Sequence, residues 1–551
     1  MNKKGLFSIV LIIVLASGLG AVTQTEAARL PRHLFETGNG DGYADVVIGV
    51  PGEDWTSSDE GVVHVLYANG SGIPTSEAGD LWREGSDGLS GTMEMWDAFG
   101  TAVATGDFNG DYYTDLAIGV PGQSVGGNAN AGAVYVIYAS PYGLTSTGNE
   151  VWTQDDLFSQ AEPNDAFGQE LVVGDFNGDG YDDLAVGVPL EDVYVNPVDA
   201  VDAGSVNVIY GSATGLGSYN QFFSEYTLGT NQETGDQFGY ALAAGDFDND
   251  GYDDLAIGIP FEDFNALGSS VDDIGSVQIV FGSANWLITN DSQVLFQGAN
   301  GLGNVAEEND HFGRSLVAGY FNGDDYCDLA VGVPSEERGS YTNSGAVHVL
   351  YASASAFRPP HSDWLWDRYD MDVAGEIQDN AFFGRVLAAG DFDGDGVDDL
   401  AIGTPHDDVG TEADAGSVHV MYGGSSNGLS DWDDRVWYQG AYIDCAAEAN
   451  DQFGWSLATG DIDNDGYDDL VIGTPYENIT VSATPYADAG MVQVFYGGDW
   501  GIPQNPRFQN LHQGVGNIHS IVEADDRFGS AVAVLDVTPR MIYLPLVLRN
   551  T

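Results

Sequence analysis

Asp175, Asn177, Asp179 and Asp183 place four oxygen-bearing side chains at alternate positions of one nine-residue string, DFNGDGYDD. A hard cation such as Ca²⁺ takes six to eight oxygens, and alternate side chains of a tight loop can converge on one. Gly180 permits the positive φ that turns the backbone, Tyr181 would offer its carbonyl, and Asp183 would close the shell as a bidentate carboxylate. An EF-hand would need a Glu three residues later and flanking helices. Here the loop runs into LAVGVP, a short apolar run of strand type. The expectation is a calcium loop between two strands.

The same part recurs through the chain. Complete copies supply Asp246, Asp248, Asp250, Tyr252 and Asp254, then Asp391, Asp393, Asp395, Val397 and Asp399, then Asp461, Asp463, Asp465, Tyr467 and Asp469. A copy with Tyr112 at the glycine position supplies Asp107, Asn109, Asp111 and Asp115, and a weaker one at Thr37 supplies Asn39, Asp41 and Asp45. In the fifth copy Tyr320 replaces the first ligand and Asp325 the glycine. That copy is expected to bind weakly, with Asp325 in a strained turn.

The elements that position these loops repeat with them. Phe-Gly pairs at Phe99, Phe167, Phe238, Phe312, Phe383, Phe453 and Phe528 recur at spacings between 68 and 75 residues. Each unit reads as an FG strand, the loop, a strand such as DLAIGIP, an acidic connection, a third strand such as GSVQIVF from Gly275, and a fourth strand. The third strand occurs seven times, from Gly61 to Gly490. Four short strands per unit and seven units predict an all-β, seven-bladed β-propeller of antiparallel blades. The first unit lacks an FG strand and the last FG strand lacks a blade, so the two ends should complete one blade and leave no free sheet edge. Asp536 would then stand at the first-ligand position of the N-terminal loop, where one Ca²⁺ could clasp the termini; the alternative is that Asp536 only caps a strand end and the first loop stays empty.

The chain resembles the FG-GAP repeat family, the seven-bladed propeller of integrin α subunits, also found in exported bacterial proteins. The resemblance covers residues 34–537 and rests on the FG pair, the turns GVPGED at Gly49, GVPLED at Gly187 and GIPFED at Gly258, and the loops, in constant order. It implies structural Ca²⁺ and a ligand face opposite the calcium loops. That face would carry the connections EDVYVNPVDAVDA from Glu191, EDFNALGSSVDD from Glu262, YENITVSATPYADA from Tyr476 and QGAYIDCAAEAND from Gln439.

Composition narrows the partners. Residues 1–27 read as a secretory signal, with Lys3 and Lys4 before an apolar stretch shorter than a membrane span, and residues 538–551 as a short apolar tail. Those two lysines are the only ones, and 15 basic residues face 85 acidic ones. Nucleic acid and anionic membrane surfaces are therefore disfavoured partners. Cys327 and Cys445 fall in different repeats and are expected as free thiols; Cys327 reads as a variable loop residue.

Other motifs yield to the repeat. The GSSNG string at Gly424 matches a nucleophile elbow but occupies a hairpin turn. His64, His348 and His419 share a position with Tyr135, Asn207, Gln278 and Gln493, read as the outward side of a strand rather than a zinc site. Phe238, Leu242, Ile257, Val277 and Ile279 read as inter-blade core. No residue set reads as catalytic, so the expectation is a non-enzymatic extracellular recognition or adhesion module for an unidentified protein or glycan. The alternatives are a glycan-binding lectin and a secreted polysaccharide lyase or phosphodiesterase, for which Arg314 and Arg385 are the available cations.

Overall fold

The computed structural model describes residues 42–535 apart from 57, 75–78, 87, 196–197, 218, 267–268, 300–301, 359–361, 370–374, 426–427, 441–444, 505, 517 and 519. The signal segment, the C-terminal tail, Asn39, Asp41, Ser426 and Asp536 lie outside the described residues, and with them the expected calcium clasp.

Seven four-stranded antiparallel sheets follow one another along the chain. In the fourth blade Ala241–Gly245, Asp254–Ile259, Ser276–Phe281 and Ile288–Leu295 pair in sequence order. The first strand of each blade touches the first strand of both neighbours, so these strands form a closed inner ring. Closure uses both ends of the chain: Ala531–Leu535 pairs with Asp45–Val50, Leu535 opposite Asp45 and Ala531 opposite Gly49. Pairing the terminal strand removes the edge that an open ring would present.

The second strands, such as Asp254–Ile259, are buried along their whole length, which explains their continuous apolar runs. Seven main hydrophobic clusters each combine two adjacent blades. Phe238, Leu242 and Ile257 fall in the cluster between blades three and four, and Val277 and Ile279 in the next. The FG phenylalanines, all 0 % exposed, plug these seams. The glycines have a separate reason. A Cβ on Gly258 would collide with the Gly313 carbonyl of the next blade, and Gly313 itself has a φ of 89°.

The polar position of the third strand corrects one expectation. His64, His348, His419, Asn207, Gln278 and Gln493 are 0–1 % exposed and Tyr135 is 2 % exposed, so this side faces a seam, not solvent. Tyr135 and the three histidines meet an FG ring edge-on, as in His348 with Phe312 at 5.6 Å between centroids. Three acidic connections are more ordered than loops. They fold as hairpins, Val193–Val195 with Val198–Ala200, Phe264–Ala266 with Ser269–Val271, and Ile479–Val481 with Thr484–Tyr486.

Candidate metal loops and ligand face

Each loop joins the first and second strands of a blade, and its carboxylates first organise its own backbone. Asp246 accepts from the backbone N–H groups of Asp250 at 3.0 Å and Gly251 at 2.9 Å, and Asp250 accepts from Tyr252. Asp175 and Asp461 repeat the arrangement. The ninth-position carboxylates are the buried anchors. Asp183 accepts from Phe176 N–H at 3.0 Å and from Gly211 N–H at 2.9 Å, and Asp254, Asp399 and Asp469 do likewise. Burial pushes Asp183 and Asp399 up to about 9 and Asp254 up to about 8.

The residues fit a cation. One oxygen each from Asp246, Asp248 and Asp250 lies within 4.8 Å of the others, as do those of Asp391, Asp393 and Asp399, and of Asp461, Asp463 and Asp465. Buried Asp248 Oδ1 and Asp463 Oδ1 accept no hydrogen bond from the protein. Oxygens spaced this way suit an ion held at about 2.3–2.6 Å. At the substituted glycines the structure separates two cases. Tyr112 takes a φ of 72°, whereas Asp325 does not adopt positive φ, so the fifth loop escapes the expected strain. What it lacks is the first carboxylate, since Tyr320 stands there.

The eighth loop position was read as variable, and the structure gives it a function. Asp182, Asp253, Asp398 and Asp468 each accept the backbone N–H of the first loop residue in the preceding blade, at 2.7–2.9 Å. Their own N–H groups return to the carbonyls of those residues. Neighbouring loops are thereby stitched together. Cys327 keeps the backbone bond to Asp246 but packs its buried sulfur against Gly245 instead. Both cysteines are free thiols.

At the opposite end of the blades, seven buried polar groupings were not foreseen. After the fourth strand of blade two, Gln154 donates to Glu191 of blade three, beside Asp165. Gln297 with Glu336 (3.0 Å), Gln439 with Glu477 (2.6 Å) and Gln513 with Glu53 repeat the pair around the ring. Arg368 forms a buried ion pair with Asp407 at 3.0 Å, and Glu84 lies against the Tyr135 hydroxyl. Between blades three and four the corresponding residues are Glu225, Asp236 and Glu262. Burial pushes Glu53 and Glu191 up to about 8. The recurring Gln or Glu two residues after the last large apolar residue of strand four was the sequence signal.

On the same face, aromatic rings gather around cations. The Arg314 guanidinium stands 4.3 Å from the Tyr240 ring centroid and 5.5 Å from Phe261, and Arg385 stands 5.2 Å from Trp455. Trp455 meets Tyr476 edge-on, and Phe261 meets His311. Among the described residues no carboxylate pairs with Arg314 or Arg385. Burial and the neighbouring Arg314 charge hold Arg385 below the usual guanidinium range.

The FG-GAP repeat model matches residues 39–66, 99–137, 167–209, 238–280, 312–350, 383–421 and 453–495, one stretch per blade. The chain is an FG-GAP repeat protein. Phosphatidylinositol-glycan-specific phospholipase D of Bos taurus is 26 % identical to this FG-GAP protein over 412 residues, 72 % of this chain and 46 % of that protein. The chain thus spans less than half the length of that relative. Integrin alpha-8 of Mus musculus is 34 % identical over 238 residues, 42 % of this chain and 19 % of the integrin. A rhamnogalacturonan lyase from Bacillus licheniformis aligns over 88 % of this chain and 70 % of its own at 12 % identity, but its TM-score of 0.30 is too low to carry an argument. The phospholipase overturns the expectation of a non-enzymatic protein: 72 % of this chain aligns with a relative named for catalysis. Lack of a recognisable catalytic motif in one chain was too weak a ground, because fold and function are separable. No helix among the described residues is long and apolar enough to cross a membrane.

Proposed function

We propose that this FG-GAP protein is an exported, calcium-held propeller that binds an anionic glycan on the face opposite its calcium loops. The N-terminal apolar stretch supports export, and the carboxylate groupings in the loops support Ca²⁺. The observation that carries the ligand class is the pair Arg314 and Arg385. In a chain of net charge −70 these cations sit among aromatic rings, and among the described residues no carboxylate is paired to them. Aromatic faces take sugar rings, and a planar guanidinium takes a carboxylate or sulfate through two parallel hydrogen bonds.

The test is glycan-array binding by the full chain in calcium buffer, with uronate-bearing, sulfated and neutral glycans. Retention on acidic glycans, lost in Arg314→Ala/Arg385→Ala, is expected. Retention unaffected by that double substitution, or capture of proteins but no glycan, overturns the reading. Reading the same incubation for released sugar or phosphate reports whether the bound ligand is also cleaved.

A further inference from the structure

We propose that the junction of blades three and four holds a divalent hard cation, of the Ca²⁺ class, between Glu225, Asp236 and Glu262, on the face away from the calcium loops. One carboxylate oxygen from each lies within 4.8 Å of the other two. Two oxygens on opposite sides of a Ca²⁺ are separated by about twice 2.3–2.6 Å, so the three can share one ion.

The protein supplies its own comparison. At the position of Glu225 the other junctions place Gln154, Gln297, Gln439 and Gln513, whose amides donate to a carboxylate. Another places Arg368, a cation, on Asp407, and the remaining one has an acid there too, Glu84 beside Asp97, but Gln123 stands where Glu262 does. Among these junctions only that of blades three and four brings a carboxylate to all three positions. Glu225 is 1 % exposed, and its Oε2 has no hydrogen-bond partner; neither has Oε2 of Glu262. Unpaired buried carboxylates are expensive, and three together must either share protons or hold a cation.

Among the described residues no basic side chain acts on the three carboxylates; every charge that does is acidic. Between Arg83 and Arg314 the chain has neither lysine nor arginine. Glu225 is also fixed in place: it opens the short helix Glu225–Leu228, capped by Ser224 and ended by Gly229 at a φ of 83°. Asp236 is held by the backbone N–H of Glu233 at 2.5 Å. Glu262 is only partly buried and gives the ion a route to solvent. The inference depends neither on the loops being filled nor on the glycan reading.

The experiment counts ions. The full chain is stripped with chelator, dialysed against Ca²⁺, and its bound metal measured by mass spectrometry for wild type, Glu225→Gln, Glu262→Gln and Glu191→Gln. Glu225→Gln installs the residue that four other junctions already carry, so folding should survive; Glu262→Gln is the second reporter if it does not. The expected result is one Ca²⁺ fewer per chain in Glu225→Gln and Glu262→Gln, with Glu191→Gln unchanged. An unchanged count in both, or an equal fall in all three, overturns the proposal.

Discussion

At the scale of single residues, the eighth loop position carries more than its variability suggests. Asp253 ties the first loop residue of blade three to blade four through a hydrogen bond to a backbone N–H at 2.8 Å. Asp253→Ala should cost about 1–3 kcal/mol, because the Asp175 N–H loses its partner at the seam. Urea denaturation of the calcium-loaded chain checks this, and the same substitution at the exposed Asp291 should change little. The first ligand position matters differently. Tyr320→Asp restores the missing carboxylate to a loop that already has Asn322, Asp324 and Asp328, without strain at Asp325 to relieve. It should add one bound Ca²⁺ per chain by equilibrium dialysis, or show tighter binding at that loop.

At the scale of elements, the seams between blades mix apolar packing with buried acids, and this makes stability depend on pH. Glu191 is raised to about 8 by burial, against an ordinary value near 4.5. An acid raised in the fold binds its proton more tightly there than in the unfolded chain. Its burial therefore costs nothing below the unfolded value, costs progressively more as pH rises from about 4.5 to 8, and is constant above. Over that window each such group removes up to about 1.4 kcal/mol per pH unit. In chelator, Glu191→Gln should raise the melting temperature at pH 8 and leave it nearly unchanged at pH 4. Thermal melts at the two pH values check the sign.

At the scale of the whole molecule, the ring is closed by strand pairing, and the proposed ions would tie its loops. Each filled loop adds about 2.7 kcal/mol at 100-fold excess of Ca²⁺ over its dissociation constant, so chelation should lower the melting temperature markedly. An unchanged melt in a chain shown to contain metal beforehand would refute a structural role for the ions. Closure is separable from metal. Ending the chain at Arg527 removes Ala531–Leu535 and leaves Asp45–Val50 unpaired along one edge. Such a chain should aggregate or associate edge to edge, as size-exclusion chromatography would show, even with Ca²⁺ present.

The repeat made the fold legible. FG pairs, alternating loop carboxylates and seven third strands are local patterns, and local patterns fix strands and turns. The terminal strand pairing was legible for the same reason, because the first and last units are complementary fragments. What the sequence could not show is what lies across a seam. His348 looked like an outward polar residue, because a period of two reports which side of a strand a residue takes and not what covers that side. Asp253 looked variable because its partner, the Asp175 N–H, is a backbone group of another blade and leaves no side-chain signature. Glu225, Asp236 and Glu262 lie far enough apart in the chain to read as ordinary acidic connections. Only the stacking of blade four on blade three brings them within 4.8 Å and buries Glu225 and Asp236.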